Sequence, residues 1–267
     1  MVTKEHSRTI YALPIGTLKY LSQKLASMAR LIFQEDSYLK EAETTVTRVD
    51  GNKVFLEATI FHPGPSGGLD TDKGWLVLPS GVKIEVVQAV EESGDVAHIL
   101  SRPVELRAGD KVKCILDWDR RYKIMRLHTA SHVLASILYS KYGALVTGGH
   151  IQPEEAKDDF DLSSVEDWKT AFQQAIEETN NVLKKCIEVK VYWLSREEAL
   201  KIPGIVKLAG RLPPSIGKLR IVEIPGIDIQ ADGGPHVKNT CEVGEIVLKK
   251  LESKGARRKR IYYSLKG

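Results

Sequence analysis

Two histidines four residues apart, His128 and His132, lie in the run RYKIMRLHTASHVLASILYSK (residues 121–141). Ile124, Leu127, Leu134, Ile137 and Leu138 recur there at helical spacing, with no internal Gly or Pro. Side chains at i and i+4 project from one helix face, so both imidazoles can approach a single metal ion. Thr-Ala-Ser fills the interval, so the Glu that makes an H-E-x-x-H run a protease base is absent. A second group stands far down the chain in DGGPHVKNTCEVGEI (residues 232–246), where Asp232 and His236 flank two glycines and a proline. Gly233 and Gly234 allow a sharp turn with close backbone approach, so the two end side chains can converge. Helix pair and turn pair together would make a four-ligand set, or one with a position left for water. The same segment also reads as an ordinary turn carrying an exposed histidine.

Two kinds of element must position these groups. From Thr44 to Asp117 the pattern is short and β-like, with turn signals at Asp50-Gly51-Asn52, Ser80-Gly81 and Ala108-Gly109-Asp110. Strands are expected in VTRVDGNKVFLEATIF, GWLVLPSGVKIEVVQAV, HILSRPVEL and DKVKCILDW, which together predict a small barrel. HPGPSGGLDTDKG (residues 62–74) is too long for a tight hairpin, and loops of that kind tend to be functional or disordered. Beyond Asp117 helices take over. A capping box, Ser163-x-x-Glu166, predicts a second helix with Val165, Trp168, Phe172, Ile176 and Leu183 on one stripe. Strands are expected at EVKVYW, RIVEI and RIYYSL. The fold class is α+β: a small N-terminal β-barrel, then helices packed on a largely antiparallel sheet.

The chain has 267 residues, 42% apolar and 28% charged, which excludes disordered and fibrous classes. No apolar run reaches the roughly 18–20 residues of a membrane span. Cys114, Cys186 and Cys241 are too few and too scattered for a disulfide framework, which fits a reducing, cytoplasmic setting. The last third is basic: residues 201–267 hold 14 Lys/Arg against 6 Asp/Glu, net +8. Its end, KKLESKGARRKR (residues 249–260), reads as a basic hairpin able to meet phosphate, although solubility alone would account for some of the charge. Residues 1–34 read as a basic extension, with Met28 as an alternative start. The acidic run Glu154, Glu155, Asp158, Asp159 and Asp161 reads as a solvated face or loop, and His150 as a loop histidine.

HTASH on a helix, followed by a G-G-x-H turn and V-x-N-T-x-E-V-G, resembles the editing domain shared by alanyl- and threonyl-tRNA synthetases. SGGLDTDKG (residues 66–74) is similar to the S-G-G-Q-x-x-D-x-G stretch that precedes this domain in alanyl-tRNA synthetase, with Leu69 in place of Gln. DWDRRYKIMRLHTASH resembles the junction between the two. The whole resembles the freestanding alanyl-tRNA editing proteins of the AlaX type, in their medium-length form. The resemblance implies a barrel domain over residues 35–118 and a metal-binding editing domain over 119–267. It implies one zinc ion on His128, His132, Asp232 and His236, with Asp232 where the family usually has Cys. Cys241 is a candidate rescuing ligand or a buried structural residue. The three histidines would be catalytic, Gly67, Gly68 and Thr147 would line the amino-acid pocket, and Thr147 also reads as a strand-end threonine. Lys254, beside Ser253, with Arg257, Arg258, Lys259 and Arg260 would contact tRNA. The implied activity is metal-dependent hydrolysis of tRNA(Ala) mischarged with serine or glycine. The alternative is a non-catalytic RNA-binding module with a vestigial metal site.

Overall fold

The computed structural model describes residues 28–205 and 217–267. The first part contains β1 (Arg30–Leu31), α1 (Ile32–Glu35), β2 (Glu41–Asp50), β3 (Lys53–Leu56), β4 (Ala58–Thr59), β5 (Gly74–Val77), β6 (Lys83–Glu92), β7 (Asp95–Leu100) and β8 (Lys111–Leu116). Six of these strands close into an antiparallel barrel in the order β2-β3-β7-β6-β5-β8. Closure removes the unpaired edges that a short open sheet would expose. Alternate residues such as Val54, Leu56, Leu76 and Val86 fill the interior. Tight turns set the register. Gly51-Asn52 links the paired residues Asp50 and Lys53, with Gly51 at φ 61°. The strand expected over HILSRPVEL begins earlier, at Asp95, and stops at Leu100. Pro103 has no N–H to give a ladder, which suits the irregular path that follows.

β1 pairs in parallel with β4, and α1 buries Phe33, so residues 30–35 pack into the molecule. The remainder of the expected extension, residues 1–27, lies outside the described residues.

The second part contains α2 (Trp118–Tyr142), β9 (Val146–Ile151), β10 (Ala156–Asp161), α3 (Trp168–Leu183), β11 (Lys190–Ser195), α4 (Arg196–Leu200), β12 (Lys218–Ile224), β13 (Asp228–Ala231), a 3-10 turn (Thr240–Val243), β14 (Ile246–Ser253) and β15 (Arg258–Leu265). Two antiparallel sheets form, β14-β15-β10-β9 and β11-β12-β13. Asp117 caps α2 by accepting from Arg120 N at 3.2 Å, and Gly143 ends it in the left-handed region at φ 64°. Leu127, Leu134 and Leu138 of α2 share one core with Phe160, Phe172 and Tyr263. None of the helices among the described residues is long and apolar enough to cross a membrane.

Several expectations are corrected here. The second helix starts at Trp168, because Asp167 caps it by accepting from Thr170 N at 3.1 Å, while Ser163 Oγ donates to Asp161 Oδ1 instead. The acidic run is not a solvated face throughout: Asp158 and Asp159 lie on β10 and are each only 3% exposed. β15, about a hundred residues onward, supplies a partner to each: Tyr263 OH donates to Asp158 Oδ2 at 2.7 Å, and Arg260 grips Asp159 with bonds of 2.6 and 2.8 Å. Cys186 and Cys241 form a disulfide, with both residues exposed and the Cα atoms 4.6 Å apart. The end of α3 and the 3-10 turn meet through Thr240 N donating to Ile187 O, a proximity hidden by 55 residues of separation. Cys241 is therefore neither a buried structural thiol nor a ligand.

The two parts are joined through a buried ion pair. Arg121 of α2 is fully buried and holds Asp72 of the long barrel loop. Its guanidinium also donates to Ser37 O and Ile60 O. Arg120 beside it donates to Asp70 Oδ2 and Thr71 O at 2.6 and 2.9 Å. Adjacent arginines at the start of one helix thus pin residues 70–72, and with them the glycines just upstream.

Candidate metal centre and its pocket

α2 brings His128 and His132 onto one face, as their spacing requires, and the turn after β13 carries Asp232 and His236 up to them. One ligand atom from each of these four residues lies within 4.8 Å of every other. Such a group could hold a metal ion. Each imidazole is fixed from behind. His128 Nδ1 donates to Pro235 O at 3.2 Å, and His132 Nδ1 donates to Asp228 Oδ2 at 2.9 Å. His236 Nδ1 shares a 3.0 Å hydrogen bond with Thr129 Oγ1. With Nδ1 the donor in His128 and His132, their Nε2 lone pairs are the ones available to a cation, which is the usual outer-shell arrangement of metal-binding histidines, while His236 Nε2 lies 3.2 Å from Asp232 Oδ1.

Electrostatics favour the ligand-ready protonation state. Burial, together with the other histidines, holds His128 well below the ordinary histidine range. Burial brings His236 down to about 4 despite its bond to Asp232. Burial would raise Asp232, but the attraction of His128 and the hydrogen bond from His236 outweigh it and keep the carboxyl well below its usual range. Near neutral pH these two imidazoles are therefore unprotonated, and the aspartate is ionised.

The turn is held tightly. Gly234 N donates to Asp232 Oδ1 at 2.8 Å, and Arg220 donates to Asp232 O and Gly234 O at 3.0 Å each. A Cβ on Gly234 would come within 2.5 Å of Leu69 Cδ1 and 2.7 Å of His128 Cε1. Glycine is thus required by close packing. Leu69 itself is 1% exposed and plugs the space beside the turn, so an apolar side chain suits this position.

A cavity of about 350 Å³ opens over the cluster, and His128, His132 and Asp232 line it. Gly67 and Gly68 reach it from the barrel loop and Thr147 from β9, so two segments distant in sequence meet at one pocket. The loop is stitched to β9 by Ile151 N donating to Gly68 O at 2.8 Å and Asp70 N donating to Ile151 O at 2.9 Å. His150 also borders the cavity, on β9 rather than on a loop, and stands outside the ligand group. His236 closes the cluster from behind and lines a separate cavity with Arg220. Sequence reasoning overlooked Asp158, a buried carboxylate on the pocket wall whose acidity burial weakens.

The basic hairpin is less free than its composition suggests. Lys259 is buried and donates to Ser253 Oγ and Gly255 O, and Arg260 is committed to Asp159. Lys254 pairs with Glu252 at 2.8 Å. Arg257 and Arg258 keep 79% and 51% of their side chains exposed.

A closed barrel that delivers a glycine loop to a three-histidine, one-aspartate cluster defines an α+β protein with a composite pocket and a site fit for a metal. Comparison places that arrangement. Residues 219–262 match the family described as threonyl and alanyl tRNA synthetase second additional domain. The chain is 55% identical over 240 residues to the alanyl-tRNA editing protein AlaX-M of Saccharolobus solfataricus, covering 90% of this chain and all of that protein. It is 39% identical over 246 residues to the AlaX-M protein of Methanosarcina mazei, covering 89% of this chain and 97% of that one. Against the alanine–tRNA ligase of Archaeoglobus fulgidus, identity is 33% over 258 residues, or 94% of this chain and 27% of the ligase. The chain belongs to the AlaX-M family of alanyl-tRNA editing proteins.

Proposed function

We propose that this protein is a trans-editing hydrolase, working in the cytoplasm, that deacylates tRNA(Ala) carrying serine or glycine, with one zinc ion held by His128, His132, Asp232 and His236. The observation that carries this reading is the convergence of those four side chains at a cavity also lined by Gly67, Gly68 and Thr147. A donor set of three imidazoles and one carboxylate suits zinc and also accommodates other first-row divalent ions. When bound, the metal would supply Lewis-acid polarisation of the ester or a more acidic water.

The chain's own residues do the rest. Asp228 and Pro235 O fix two of the imidazole orientations, so the cluster is set before substrate arrives. Thr147 offers a hydroxyl to the side chain of a seryl group. A site built around such a hydrogen bond can reject an analogue lacking the hydroxyl by roughly 10⁴-fold, which protects alanine. Exposed Arg257 and Arg258 offer charge to the tRNA backbone. The buried, fully assembled cluster favours this reading over a vestigial site in an RNA-binding module.

The test pairs metal analysis of purified protein with deacylation of Ser-tRNA(Ala), Gly-tRNA(Ala) and Ala-tRNA(Ala). About one zinc per chain and hydrolysis of the first two are expected. Equal hydrolysis of all three would overturn the specificity, and metal-free protein with full activity would overturn the role of the cluster.

A further inference from the structure

Asp158 stands on the wall of the same cavity yet takes no part in the four-ligand group. Both of its side-chain hydrogen bonds fall on one oxygen: Oδ2 accepts from Ser131 Oγ at 2.8 Å and from Tyr263 OH at 2.7 Å. Ser131 neighbours His132 on α2, so the carboxylate lies one side chain away from the cluster. Oδ1 receives no hydrogen bond from the described residues. The one buried side-chain polar atom without a partner among those residues is His62 Nδ1, so Oδ1 is unbonded but not sealed. It is turned toward Gly149, where a Cβ would come within 2.7 Å of it. Gly149 also lines the cavity, and its missing side chain keeps Oδ1 uncovered.

An aminoacyl ester carries a cationic α-ammonium group next to the carbonyl that must react. Taking that cation out of water is costly unless a charged acceptor receives it. Asp232 belongs to the four-residue group itself, so its carboxylate is committed to the cluster. Thr147 and Gln230 on the same wall are neutral. We propose that Asp158 Oδ1 receives the α-ammonium group of the aminoacyl ester, an assignment that rests on the deacylase reading above. Ammonium on Oδ1 and carbonyl toward the histidines would hold the ester at two points, whichever side chain it bears. Asp158 thus recognises what all aminoacyl esters share, and Thr147 senses what distinguishes serine.

The test compares wild type with Asp158→Asn on three substrates: Ser-tRNA(Ala), Gly-tRNA(Ala), and glyceroyl-tRNA(Ala), in which a hydroxyl replaces the α-amino group of the seryl ester. Wild type should prefer the seryl over the glyceroyl ester by roughly 10- to 100-fold, the scale of a hydrogen bond to a charged group. The variant should lose about that factor in kcat/KM on both seryl and glycyl esters while treating the glyceroyl ester as wild type does, which also shows that it is folded. Equal loss on all three substrates would make Asp158 a structural residue and overturn the assignment. Loss on the seryl ester alone would mean that Oδ1 reads the side-chain hydroxyl, which also overturns it. Wild type inert on all three would remove the deacylase reading and this assignment with it.

Discussion

The barrel and the helix-and-sheet part bury polar groups in opposite ways. Inside the barrel wall the imidazole of His98 is shut away, bonded to Thr59 Oγ1 at 2.7 Å and Val54 O at 2.9 Å. Around α2 and β13 three histidines and two aspartates crowd together, with like groups close enough to oppose one another's protonation. Such crowding is tolerated only because nearly every buried atom has a partner. The difference teaches what each part contributes. The barrel is an apolar frame whose functional product is one loop, held by its loop carboxylates Asp70 and Asp72. The other part accepts the cost of buried polar groups in order to fix a reactive cluster.

The sharpest way to break that contrast is His132→Ala. Losing an outer-shell partner of a metal ligand typically costs 10–100-fold, so losing the ligand itself should cost more than about 100-fold in deacylation. Affinity for tRNA should stay nearly unchanged, because phosphate contacts supply most of it. Retained turnover with metal lost would show that the cluster is not the reactive centre.

Next in size is the joint between the parts. Asp72→Asn leaves the Arg121 guanidinium buried against a neutral partner, which should lower unfolding free energy by about 3–5 kcal/mol in denaturant melts. An Arg121→Met, Asp72→Leu double variant should recover much of that stability. Its deacylation should still fall, because the glycine loop keeps only its Arg120 tie to α2. Full activity in the double variant would mean that Arg120 and β9 suffice to position the loop.

Acid exposes the barrel's own weak point. Burial pushes His98 down to about 4, whereas the unfolded chain titrates near the ordinary value of about 6.5. The unfolded state therefore takes up the proton first as pH falls. The contribution from His98 is complete above about pH 6.5 and is lost progressively down to about pH 4, a change of about 3 kcal/mol. A His98→Gln variant should show a flatter stability profile over that interval; an unchanged slope would sink the assignment.

The smallest expected effect is at the surface. Arg257→Ala with Arg258→Ala should reduce the slope of log affinity against log salt by roughly 1.4–1.8, with turnover at saturating tRNA kept. Adding Arg260→Ala should instead lower stability, because it strips Asp159 of its main partner. A slope that drops only with Arg260 would reverse this ranking.

Much of this molecule was legible in its sequence. The spacing of His128 and His132 decided that both rings share a helix face, because 3.6 residues per turn leave no other outcome. Two glycines between Asp232 and His236 decided a tight turn, and alternation with Gly-containing turns decided a barrel. Only the tertiary structure decided that helix and turn meet, that Leu69 and His128 leave room for nothing larger than Gly234, and that Cys186 reaches Cys241. It also decided the fate of charge. Asp158 and Asp159 look like solvated residues in a linear reading, yet both are buried on β10, with Arg260 of the paired β15 held against Asp159. Local pattern fixes what a backbone segment can become, since hydrogen bonding and side-chain direction repeat over a few residues. Burial and partnership depend on segments that loop closure brings together across a hundred residues, and no short-range period records them.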